Sequence, residues 1–73
     1  MMNEEQAQYA LIGLVNKYLT SDPEIDNILK IINDKSRPGL PIRGVLEKIK
    51  KYRTIEYSEL DKDIIEELLY LYG

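Results

Sequence analysis

The sequence predicts an all-α protein, a compact antiparallel four-helix bundle with helices at about 4–19, 23–34, 41–52 and 59–72. Three observations carry this expectation. Apolar residues recur at i, i+3, i+4 and i+7 in four successive segments. Each segment is bounded by a capping residue or by proline and glycine. The 73 residues include neither Cys nor His, so a disulfide framework or a His/Cys zinc site cannot organise some other fold.

The first helix is expected to start after Asn3, with Gln6 completing a capping box. Ala7, Ala10, Leu11, Leu14, Val15 and Tyr18 then form its apolar stripe, and Ile12 and Leu19 widen it. Gly13 in mid-helix costs about 1 kcal/mol relative to Ala. Either another helix approaches closely there or the defect is simply tolerated. Thr20-Ser21-Asp22-Pro23 ends the helix and starts the next. Asp22 suits the N-cap and Pro23 the first helical position, where no N–H is needed. Glu24 and Asp26 complement the helix dipole, and Ile25, Ile28, Leu29 and Ile32 supply the buried stripe.

Arg37-Pro38-Gly39-Leu40-Pro41 is a loop, because two prolines and a glycine within five residues cannot continue a helix. Pro41 opens the third helix, whose apolar face is Ile42, Val45, Leu46, Ile49 and Tyr52. Arg43, Glu47, Lys50 and Lys51 lie on the other side. Arg53 to Tyr57 breaks the period and reads as a connecting loop pinned by Ile55, with a short strand as the alternative. Ser58 and Asp61 make a partial capping box for the fourth helix. Its apolar residues Leu60, Ile64, Ile65, Leu68, Leu69, Leu71 and Tyr72 cover about half the circumference, as in a helix lying in a groove between others. The whole chain, 1–73, reads as a single helical domain.

The net charge is −3, which disfavours a general polyanion binder. The distribution says more. Residues 1–34 carry −4, residues 35–53 carry +6 and residues 54–73 carry −5. The basic island can pair with acidic neighbours across the bundle and face solvent. It can also be a patch for an acidic partner or an anionic membrane surface. Nucleic acid fits least well, because the acidic flanks would have to stay clear of the phosphates.

No catalytic constellation emerges, and the chain is expected not to be an enzyme and to use no cofactor. Asp61 and Asp63 resemble the start of a calcium loop, but Ile65 occupies the third ligand position and the required glycine is missing. Acids at a helix N-terminus explain them better. Glu66 and Glu67 point to different sides of a helix, and Gly39 and Gly44 lack phosphate-loop spacing. A helix-turn-helix reading of residues 45–58, which would make the chain a DNA-binding regulator, is the weaker alternative, because the segment that would enter the groove is acidic. Six tyrosines are the only aromatic residues. Tyr18 and Tyr52 are placed on core faces with their hydroxyls at the rim. Tyr70 lies opposite the apolar arc and is the leading candidate for a partner contact. Tyr9 follows it. Tyr72 either closes the core or anchors a partner.

The chain also resembles the pediocin-like (enterocin A type) bacteriocin immunity proteins over about residues 7–73. The similarity lies in a first helix ending Lys17-Tyr18-Leu19 and in the Ser-Asp-Pro start of the second. The turn Ser36-Arg37-Pro38-Gly39-Leu40-Pro41 leading into Val45-Leu46-Glu47-Lys48-Ile49 belongs to it, as does the tyrosine-rich end. This chain is shorter than typical members and lacks their longer C-terminal tail. The resemblance implies a cytoplasmic four-helix bundle that protects a bacteriocin producer without catalysis. It would do so by recognising the mannose phosphotransferase membrane component once bacteriocin has engaged it. Recognition would fall to the C-terminal half, here Arg37, Arg43, Lys50, Lys51 and Arg53 with Tyr70 and Tyr72. The alternative is a small helical regulator or adaptor, of phage or plasmid type, that binds a protein partner. Peripheral membrane contact and oligomer formation remain open on either reading.

Overall fold

In the computed structural model, residues 3–20, 23–34, 36 and 39–73 are described. They form four helices, α1 (Glu4–Tyr18), α2 (Ile25–Asn33), α3 (Ile42–Tyr52) and α4 (Glu59–Tyr72), and no strand. The segment from Arg53 to Tyr57 is a loop.

The four-helix bundle is organised around α1, which packs against each of the other three helices, while α4 packs on α1 and α3. Antiparallel α1 and α2 are tied by Gln8, whose amide donates to Ile32 O at 3.4 Å and to Asn33 Oδ1 at 3.1 Å. The molecule is a slab with extents of 29 × 27 × 15 Å. One cluster forms the core. It joins Ala7, Leu11, Leu14, Val15, Tyr18 and Leu19 to Ile28 and Ile32, to Ile42, Val45, Leu46 and Ile49, and to Leu68.

The capping box at α1 forms as expected. Asn3 Oδ1 accepts from Gln6 N at 2.8 Å, and Gln6 Oε1 accepts from Asn3 N at 3.0 Å. The α2 start differs. Ile25 is its first residue and Glu24 holds the N-cap position, its carbonyl taking the first helical bond from Ile28 N at 3.0 Å. Pro23 lies in the turn before the helix, and the expected cap Asp22 is outside the described residues. Gly39 adopts φ +75° in the loop before α3, a left-handed conformation that costs glycine little and other residues more. A Cβ built on Gly13 meets nothing within 4 Å. The glycine is therefore a tolerated defect and marks no close helix approach.

Three packing expectations are corrected. Tyr52, at the end of α3, is 49% exposed and rests under the Lys51 ammonium, which lies 5.3 Å from its ring centroid. It sits in the last turn of α3, where it lines an open surface groove with Tyr18 and Leu19 and stays half in solvent. Ile55 is also exposed. The pin of that loop is Tyr57, half-buried against the core and edge-on to Tyr18 with ring centroids 4.9 Å apart. On α4 only Leu68 among the apolar residues is fully buried, and Leu60 and Leu69 are exposed. With two neighbours instead of three, this helix has more apolar circumference than the bundle covers.

Candidate functional site

The basic face of α3 is built by helical spacing. Arg43 and Lys50 are seven residues apart, so they lie on one stripe separated by about 10.5 Å along the axis. Both are exposed, and among the described residues neither forms an ion pair within 4.0 Å. They border an open groove of about 460 Å³ between α3 and α4, together with Leu46, Glu47, Tyr57, Ile65 and Leu69. The floor is apolar and the rim cationic, with the Glu47 carboxylate one helical turn beyond Arg43. Lys51 faces a neighbouring shallow depression with Gly44, Glu47, Lys48 and Lys50.

The other sequence candidates are placed elsewhere. Arg53 is half-buried and held locally. Its Nη1 donates to Ile55 O at 2.7 Å and lies 3.7 Å from Glu56, and its guanidinium sits 4.6 Å from the Tyr57 ring centroid. Its Nε is buried with no hydrogen-bond partner. Arg53 thus shapes the groove wall through Tyr57 and is not part of a free cationic patch. Tyr72 packs against the core. Tyr70 is 84% exposed and stands on the far side of α4, outside the groove. Arg37 lies outside the described residues.

Beneath the Tyr57 end of the groove is a polar knot that sequence spacing does not reveal. Asp61 is buried. Its Oδ2 accepts from Lys17 Nζ at 2.7 Å and from the Tyr18 hydroxyl at 2.5 Å. The same hydroxyl accepts from Ser58 N at 3.2 Å, and Ser58 Oγ accepts from Asp61 N at 3.1 Å. The capping box is therefore half formed. Ser58 caps α4, but the Asp61 side chain turns to α1 and the tyrosine hydroxyl takes the backbone N–H that a box would have used. Tyr18 is fully buried, so its hydroxyl does not sit at a rim. The hydrogen bonds from Lys17 and Tyr18 hold the Asp61 carboxyl below its ordinary value, and the bond to Asp61 raises Lys17. Burial raises the Tyr57 hydroxyl. A Ser-x-x-Asp sequence matches both a capping box and this knot, and only the opposite helix distinguishes them.

Among the described residues no group of three or more His, Cys, Asp or Glu is arranged to hold a metal ion, and no helix is long and apolar enough to cross a membrane. The site as built offers binding chemistry: an apolar floor for desolvated side chains and two cations for orienting a partner. Comparison with protein-family models, curated proteins and solved structures finds no match to this chain.

Proposed function

We propose that the chain is a non-enzymatic bacteriocin immunity protein, acting inside the producer cell by binding a membrane-receptor component through the α3–α4 face. The observation that carries this reading is the groove itself, where Arg43 and Lys50 flank exposed and half-buried apolar side chains. Such a combination favours protein recognition, since burial of Leu69 and Ile65 supplies affinity while the cations set register. The helical architecture and the Gly39 turn into α3 agree with the resemblance drawn from the sequence.

The test is expression in a bacteriocin-sensitive strain challenged with a panel of pediocin-like bacteriocins. Survival is expected with the wild-type chain and is expected to fall with Arg43→Glu plus Lys50→Glu, at unchanged helix content. No protection against any member of the panel refutes the reading. Equal protection by the variant retires the groove. A soluble partner recovered in place of a membrane permease supports instead the small helical regulator or adaptor.

A further inference from the structure

We infer that the α3–α4 groove receives an amphipathic helix from another protein, carrying two acidic residues seven positions apart along one edge of an aliphatic stripe. This deepens the binding role proposed above and rests on the same groove.

Three features of the groove select that occupant. First, its floor is a strip. Leu46, Ile65 and Leu69 come from two neighbouring helices, with Tyr57 closing one end. A strip of this kind fits residues that recur along one helix face, the usual mode of helix-in-groove recognition. Second, the rim charges are periodic. Arg43 and Lys50 repeat at two helical turns, and a partner helix laid alongside α3 repeats its own side chains at the same interval. Third, Glu47 stands between them along the chain and also faces the groove. An acid in the middle of the partner would meet this carboxylate, so the acids belong at the two ends.

The same carboxylate argues against the competing occupants. An anionic lipid surface presents negative charge continuously and would meet Glu47 as well as the two cations. A second copy of this chain could offer the acidic stripe Glu59, Asp63 and Glu66 of α4, which is exposed. That stripe has the correct ends but places Asp63 at the centre, facing Glu47. Like charges placed opposite each other disfavour that pairing.

The experiment uses a displayed library of 18-residue amphipathic helices in which the positions flanking the apolar stripe vary among Asp, Glu, Lys and Ser. The full-length protein is the bait, and selected peptides are synthesised for titration by NMR. Enrichment of Asp or Glu at i and i+7 is expected, with resonance shifts centred on Leu46, Ile65 and Leu69. Arg43→Glu with Lys50→Glu should weaken binding about tenfold or more, and peptides with both acids changed to Lys should recover it. Arg43→Gln with Lys50→Gln serves as the milder variant if charge reversal disturbs the fold. Absence of enrichment, enrichment of basic peptides or shifts on another face overturns the inference. Concentration-dependent self-association through these residues, or binding of phosphatidylglycerol vesicles to them, overturns it too. No bacteriocin enters this measurement. Loss of cellular protection with peptide binding intact therefore tells against the immunity role alone.

Discussion

Removal of one hydroxyl tests the energetic account of the bundle most directly. In Tyr18→Phe the ring still packs in the core, but Asp61 loses its 2.5 Å donor and Ser58 N loses its 3.2 Å acceptor. A hydrogen bond to a charged group contributes about 1.5–3 kcal/mol, and a neutral one about 0.5–1.5 kcal/mol. Lys17 remains on Asp61 and moderates the loss, so the expected destabilisation is about 2–3 kcal/mol. For a domain of this size each kcal/mol moves Tm by about 4–8 °C, which predicts a drop of roughly 8–24 °C. Lys17→Met should cost less than Tyr18→Phe, because its ammonium is half-exposed. Thermal and urea unfolding followed by circular dichroism measure all of this, and a double-mutant cycle of Tyr18→Phe with Asp61→Asn isolates the shared term. Asp61 has a depressed folded pKa, so its contribution is present above the unfolded value and fades as pH falls through the folded one. The gap between wild type and Tyr18→Phe should accordingly narrow as pH is lowered from neutral toward about 2. A Tyr18→Phe variant within about 0.5 kcal/mol of wild type, or a gap independent of pH, would refute the assignment of this knot as a stabilising link.

Other perturbations give outcomes of different sign. Gly13→Ala and Gly44→Ala each place a methyl in open space on a helix, and each should raise stability by about 0.5–1 kcal/mol in urea titration. Ile28→Asp puts an unpaired charge into the core, where Ile28 is 2% exposed, and should abolish the cooperative melt. On the alkaline side the raised Lys17 keeps its contribution below its unfolded pKa and loses it as pH rises through the folded one. The raised Tyr57 hydroxyl penalises ionisation in the fold. Stability measured by urea midpoint should therefore decline above about pH 10.

The helices were legible because their caps and stripes are local. Asn3 with Gln6, the Gly39-Leu40-Pro41 turn and the i, i+3, i+4 positions of α3 each specify backbone within a few residues, and all three appear where their chemistry places them. Which side chains face solvent depends on the neighbours a helix has, and this is not local. Leu60 and Leu69 belong to an apolar arc in sequence, yet α4 lacks the third neighbour that would cover them. Tyr52 lies on the same arc as Ile49 but at the end of its helix, where the core has stopped. Arg53 counts as one more positive charge in composition, whereas its planar guanidinium stacks on Tyr57 and leaves the patch. Arg43 and Lys50 could be paired by spacing alone, but Ile65 and Leu69 of their apolar floor come from α4 and needed the tertiary arrangement.

The link between Lys17, Tyr18 and Asp61 spans more than forty residues of chain, whereas α1 with α2 and α3 with α4 pair neighbours in sequence. Closing so long a loop costs more entropy than closing either hairpin. The two hairpins can thus collapse early, and the carboxylate locks them together late. Substitutions at this lock should leave the folding limb of a chevron almost unmoved and accelerate unfolding. One buried acid then governs how long the native state persists once formed, with little influence on how fast it is reached.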